Sequence, residues 1–530
     1  MAVRRPIPYS PPMGRHSRTA RPVVITLAIT LALVAGACGA SAVPTPTPLV
    51  PAVPSAVASP APTPSPAPTL APQGPIAWSD CGGGFQCGIV DVPLDYAAPT
   101  GPTVRLSLIR LPATDPAERI GSLVVNPGGP GESGVDFVRQ GAASVFPAAL
   151  RARFDIVGFD PRGVGASTPI RCEENLDHFI PEDATADTPA ELTNLLDGSR
   201  AFAEQCGERN AALLPHLSTE DVARDLDQIR AALGDAQLTY VGFSYGSMIG
   251  EDYASLFPAH VRAMVLDGVV DPSLGLETFR RDQAVAFEGA LDRFLAQCSA
   301  DTSCPFHSGG HAAAAFDALM REIDRHPVPT TRLGDREPVG PTQAWQAVTQ
   351  SLYVQAAWPV LADALAMARD GDGSLLLLLG DPLRGRNPDG SYSNLVDAYD
   401  AVTCLDWPAP RDPAAYSAMA TSFTRVAPRV GRLLAFNDVE CAYWPTPPER
   451  VPAPVSAPGA PPIVLVGSTG DPATPYAWAE SVARQLTSAV LVTRVGEGHT
   501  GYLVSACVRN AVDGYLLDRT VPAAGLRCTD

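Results

Sequence analysis

The chain has 530 residues, 38 basic and 56 acidic, and a formal charge of −18. Every basic residue is arginine; the absence of lysine excludes Schiff-base chemistry, a Ser-Lys dyad and a phosphate-binding P-loop. The acidic balance speaks against nucleic acid as a partner, because that affinity comes from basic side chains neutralising phosphates.

Residues 1–37 have the pattern of an export signal of lipoprotein type. Arg4, Arg5, Arg15, Arg18 and Arg21 precede an apolar run at 23–37, shorter than the roughly 20 residues of a membrane span. Ala35-Gly36-Ala37 in front of Cys38 resembles a bacterial lipobox, in which Cys38 takes lipid and tethers the chain to the outer face of the cytoplasmic membrane. Plain secretion without lipid is the alternative. Residues 38–75 form a linker rich in Pro, Ala and Thr; proline lacks the donor that helix or sheet requires, so an extended solvated spacer is expected.

Ten further cysteines, an even number, fit an oxidising compartment. They fall into sequence neighbours, and closing short loops orders the fewest residues. The expected pairs are Cys81–Cys87, Cys172–Cys206, Cys298–Cys304, Cys404–Cys441 and Cys507–Cys528. No CxxC or close Cys/His grouping suggests a metal, and no cofactor is implied.

Strands are expected at 87–92 and 103–109, an antiparallel pair across a Pro/Gly turn, then as short apolar runs at 122–125, 154–157, 238–241, 263–266, 463–466 and 489–495. Helical patterns separate them; the clearest begins at Thr219, repeats Val222, Leu226, Ile229 and Leu233, and stops at Gly234. This alternation predicts an α/β fold with a mostly parallel sheet of eight strands. The rhythm breaks after Pro272, where helical segments at 278–297, 312–324 and 342–369 dominate. The chain therefore divides into a first core part (76–271), a large, mainly helical cap insertion (272–461) and a C-terminal core part (462–530).

Gly242-Phe-Ser244-Tyr-Gly246 lies between the strand at 238–241 and a helical pattern at 247–257. A serine on such a turn needs small neighbours two positions away on either side, and the turn lifts Oγ over the sheet edge at the positive end of the next helix. A serine capping that helix between incidental glycines is the bland reading. A nucleophilic serine needs a base, and the base an orienting carboxylate. Of the eight histidines, only His499 follows the last strand, and Asp471 sits in the loop after the strand before it. Ser244, Asp471 and His499 are thus the expected triad. The loop Asn126-Pro-Gly128-Gly129-Pro-Gly131 follows the strand at 122–125, where such folds supply an oxyanion donor. The backbone N–H groups of Gly129 and Tyr245 are the expected pair, with Gly128 as the fallback.

These motifs, together with Phe154-Asp-Ile-Val-Gly-Phe-Asp-Pro-Arg-Gly-Val-Gly165, Val265-Leu-Asp-Gly268, Gly470-Asp-Pro-Ala-Thr-Pro475 and Gly498-His-Thr500, resemble the secreted tripeptidyl aminopeptidases and proline iminopeptidase relatives of actinobacteria. Those enzymes are α/β-hydrolases with a tripeptidyl-aminopeptidase-like C-terminal segment. The resemblance runs from Trp78 to the C-terminus. It implies an α/β-hydrolase fold, a Ser244, Asp471 and His499 triad, and removal of short peptides or single residues from a substrate with a free N-terminus. Such an enzyme needs a carboxylate for the substrate ammonium. Asp406 and Glu440, beside the two cysteines of one expected pair, are the candidates, while Asp160 and Asp267 read as structural turn or sheet-edge residues. A carboxylesterase or lipase-like hydrolase would use the same triad, and a noncatalytic surface binding protein could share the scaffold.

Overall fold

The computed structural model describes residues 74–173 and 183–530; the export signal, most of the linker and Cys38 lie outside them. One sheet organises the core. Its strands in chain order are β1 (Ser79–Asp80), β2 (Gln86–Pro93), β3 (Thr103–Leu111), β4 (Gly121–Asn126), β5 (Phe154–Phe159), β6 (Leu238–Phe243), β7 (Val261–Asp267), β8 (Ile463–Gly470), β9 (Ala489–Glu497) and β10 (Arg527–Cys528). The spatial order is β1-β2-β3-β5-β4-β6-β7-β8-β9-β10. β1 to β3 join antiparallel, β3 meets β5 antiparallel, and the remaining pairs are parallel.

The eight long strands lie where the antiparallel pair and the six apolar runs are expected. Two-residue strands extend the sheet at both edges, too short to carry any periodic signal. Each is next to or within a disulfide: Cys81–Cys87 joins the start of β2 to the chain just after β1, and Cys507–Cys528 holds β10. The other three disulfides are Cys172–Cys206, Cys298–Cys304 and Cys404–Cys441.

Side chains alternate across the central strands with the period of a pleat. Val124, Val157, Tyr240, Met264 and Leu465 pack on one face, and Leu123, Val125, Ile156, Val241, Val265 and Val464 on the other. Burial on both faces explains why these strands read as unbroken apolar runs. The helix Thr219–Leu233 is capped by Ser218 Oγ and ends at Gly234 in the left-handed region.

Between β7 and β8 the helices Leu276–Ala300, Ala312–Arg325, Pro341–Leu352 and Trp358–Arg369 build a second apolar core. The last two form where a single segment at 342–369 is expected. Val354 is extended and Pro359 opens the second helix, because a proline ring cannot follow an unbroken turn. Ala186 and Leu195 also enter this second core, although they precede β6. The helix Pro189–Asn210 thus spans both cores, with Phe202, Ala203 and Cys206 packed toward the sheet. Among the described residues no helix is long and apolar enough to cross a membrane.

Candidate active site

β6 runs directly into Ser244, whose φ of 55° and ψ of −125° put a non-glycine residue in a strained conformation. The turn is tight enough to exclude larger neighbours. A Cβ on Gly242 would lie 2.1 Å from the Gly246 carbonyl oxygen, and one on Gly246 would lie 2.8 Å from the Asn126 carbonyl oxygen. The Ser244 N–H is held by the Asp267 carbonyl at 2.8 Å.

Asp471 and His499 come together from the ends of β8 and β9. His499 Nδ1 lies 2.9 Å from each Asp471 carboxylate oxygen. Asp471 also accepts from the backbone N–H groups of Ala473 and Thr474, both at 2.9 Å, and from Thr474 Oγ1 at 3.1 Å. Burial alone would lower the imidazole pKa; the Asp471 charge and hydrogen bond, with Asp267 and Glu132 beyond, outweigh it and raise the pKa above its ordinary value. With Nδ1 turned to Asp471, Nε2 is the nitrogen left to take a proton. It is buried and makes no hydrogen bond, so Ser244 and His499 line one cavity without a bond between them. Such contacts often tighten only when substrate binds.

Gly128 approaches the serine turn so closely that a Cβ there would lie 2.6 Å from the Phe243 carbonyl oxygen. Its N–H is committed to Asn126 Oδ1 at 3.0 Å. The fallback donor is therefore spent, and the next amide, that of Gly129, is the loop's candidate. Tyr245 opens the helix Tyr245–Leu256, so its N–H sits at the positive end.

The cavity above these groups has a volume of about 1240 Å³ and reaches from the serine turn into the cap. Glu440 lines it, accepting from Ser199 Oγ at 2.9 Å. Asp406 does not. This carboxylate closes the end of the helix Leu395–Asp406 and turns to the N-terminus of the helix Thr219–Leu233, accepting from the Thr219 N–H at 3.0 Å and from its hydroxyl. A helix start attracts an anion, and that contact takes both oxygens away from the cavity. Asp400, six residues before Asp406 on that helix, lines the cavity wall with Glu440. Burial raises both pKa values; the charges of Glu440 and Asp438 raise Asp400 further.

Residues 121–354 match the model of the alpha/beta hydrolase fold, and residues 427–528 that of TAP-like protein. Serine protease Hip1 of Mycobacterium tuberculosis is 36% identical over 478 residues, which cover 86% of this chain and 91% of that protein. The chain belongs to the TAP-like α/β-hydrolases. Carboxylesterase B of Mycobacterium tuberculosis is 38% identical over 454 residues, covering 84% of this chain and 86% of its own. Tripeptidyl aminopeptidase of Streptomyces coelicolor is 34% identical over 473 residues, covering 86% of each. Membership of this family makes the protein a serine hydrolase.

Several residues of this α/β-hydrolase site lie within the quoted motifs and support the triad without being part of it. Thr474 Oγ1 lies 3.3 Å from His499 Nδ1 as well as against Asp471. Asp267 accepts from the N–H groups of Gly501 and Tyr502 and so fixes the chain after His499; burial pushes its carboxyl up to about 6 despite those bonds. Asp160 likewise ties loops, bonding Ser133 Oγ at 2.6 Å and the Ala166 N–H at 3.0 Å. Among the described residues no group of three or more His, Cys, Asp or Glu could hold a metal ion.

Proposed function

We propose that this α/β-hydrolase is a serine exopeptidase that cleaves peptides from a free N-terminus through an acyl-enzyme. The observation that carries the reading is the bond of His499 Nδ1 to both oxygens of Asp471, with Ser244 held in a strained turn on the same cavity. Ser244 Oγ attacks the scissile carbonyl and His499 Nε2 takes its proton. Asp471 holds the imidazole in the tautomer that leaves Nε2 free and stabilises the imidazolium. The N–H groups of Gly129 and Tyr245 receive the oxyanion. His499 returns the proton to the leaving amine, and water then hydrolyses the ester at Ser244.

Glu440 and Asp400 supply the exopeptidase part of the reading. Two buried carboxylates on one cavity wall resist ionising together, and an incoming ammonium relieves both. The substrate's α-amine is bound there, and the depth of cavity between that wall and Ser244 limits how many residues are released. The relatives named serine protease and tripeptidyl aminopeptidase support peptide chemistry. The five disulfides support action outside the cytoplasm, with Cys38 as the candidate lipid anchor.

The relative named carboxylesterase supports a second reading, ester hydrolysis by the same three residues. Product analysis on peptides with free and acetylated N-termini, beside a panel of acyl esters, separates the two. Release of short N-terminal fragments from free peptides alone is expected. Ester turnover with no amide cleavage would overturn the exopeptidase reading, and failure of a fluorophosphonate to label Ser244 would overturn catalysis altogether.

A further inference from the structure

The longest cap helix, Leu276–Ala300, reaches down to the loop that carries Asp471. Gln283 Nε2 donates to the Ala473 carbonyl at 2.7 Å, and Gln283 Oε1 accepts from Arg280 Nη1 at 2.7 Å. A carbonyl only accepts and a guanidinium only donates, so these two partners set which way the amide points. Arg280 is itself held by Asp438, with Nε 2.5 Å from Oδ2, and by the Tyr399 hydroxyl at 2.6 Å. At the other end of the chain of bonds, the Ala473 N–H donates to Asp471 Oδ1, which faces His499 Nδ1. Gln283, Arg280, Asp438 and Ala473 are all buried. A buried chain of matched donors and acceptors holds its members in one arrangement.

The same helix also reaches the histidine loop. Arg293 Nε lies 2.6 Å from Glu497 Oε1, two residues before His499. The acid and the base are therefore tied to one cap helix from two sides.

We infer that Gln283 is a positioning residue for the Asp471–His499 pair: its amide pins the acid loop to the cap, so the base is aligned only while the cap is seated. This rests on the triad reading above. Displacement of a catalytic group by about 1 Å can cost on the order of 100-fold in rate. A residue with this role acts on kcat and on the histidine's titration, and leaves substrate affinity alone.

The test compares Gln283→Leu and Gln283→Glu with the wild-type full chain, using alanyl-p-nitroanilide and p-nitrophenyl acetate as probes. Leucine removes both bonds; glutamate keeps the Arg280 contact and sets a carboxylate against the Ala473 carbonyl, so it carries the test if the leucine variant does not fold. In both variants kcat should fall about 10- to 100-fold with KM within about twofold. In Gln283→Leu the acid limb of kcat should move to lower pH, because a loosened Asp471 supports the imidazolium less. In an Asp471→Asn background, Gln283→Leu should cost less than about twofold more. Unchanged kcat and pH profile, with Ser244 still labelled by a fluorophosphonate, would overturn the role of Gln283 and leave the hydrolase reading standing. A change confined to KM would make Gln283 a substrate contact instead, and a full-sized loss persisting in Asp471→Asn would make its effect merely structural; either overturns the inference. Wild-type protein that does not label at Ser244 overturns the triad reading beneath it.

Discussion

Tyr353 of the cap meets His499 twice: its backbone carbonyl accepts the His499 N–H at 2.7 Å, and its ring stands edge-on to the imidazole, with centroids 5.2 Å apart at 90°. The histidine is thereby enclosed between the cap and Asp471, where burial and the carboxylate act on its pKa in opposite senses.

That opposition sets the pH dependence. In the wild-type protein Asp471 outweighs burial, so the acid limb of kcat/KM should lie above the ordinary imidazole value of 6.5. Asp471→Asn removes that charge and leaves burial opposed by the more distant Asp267 and Glu132. The limb should then move below its wild-type position while kcat falls about 10⁴-fold. A pH–rate profile of both proteins measures the two shifts; an unmoved limb would show that Asp471 does not govern the base.

Ser244→Ala should abolish fluorophosphonate labelling and lower kcat by at least about 10⁴-fold, with the thermal melt unchanged. Gly246→Ala should behave differently. Its Cβ would press on the Asn126 carbonyl oxygen and Oδ1, both at 2.8 Å, so roughly 1–3 kcal/mol of stability should be lost. Denaturant titration separates the two outcomes.

Glu440→Gln tests amine recognition. Burial pushes the Glu440 carboxyl up to about 7, so in the free enzyme its charged form is disfavoured, and the stability held in acid is lost as pH rises through that value. The amide variant should melt higher than wild type at pH 8. It should also raise KM for peptides with a free N-terminus about 10- to 100-fold and leave esters without an amine unaffected. Wild-type KM for the free peptides should climb as pH falls below about 7. Equal KM changes for both substrate classes would sink amine binding at this position.

Arg162 is fully buried and donates to Asp225 at 2.7 and 2.6 Å and to the carbonyls of Pro93, Leu94 and His216. Arg162→Met would leave Asp225 buried with Tyr96 as its one remaining partner among the described residues and should cost about 3–5 kcal/mol in a denaturant melt. A loss below about 1 kcal/mol would show that this ion pair does not hold the fold.

Legibility in the sequence follows how local each signal is. The central strands show as apolar runs because both of their faces are buried. The serine turn shows because steric limits two residues apart dictate glycine. Asp406 and Glu440 share the feature of lying within two residues of a cysteine, and that feature does not say which way a side chain faces. The Cys404–Cys441 bond does bring Glu440 to the helix Leu395–Asp406, yet that helix turns Asp400 to the cavity and Asp406 toward Thr219.

By itself the sequence determined the α/β alternation and the residues on the turns after β6, β8 and β9, since backbone sterics and hydrophobic periodicity act over a few residues. Tertiary structure alone decided that the Gly128 N–H is spent on Asn126, that Asp400 and Glu440 share one cavity wall, and that Gln283 reaches the Ala473 carbonyl. Those relationships are hydrogen bonds and charge contacts, which act over a few ångströms and are blind to separation along the chain. Gln283 and Ala473 are 190 residues apart, and only the folding of the cap onto the sheet makes them neighbours.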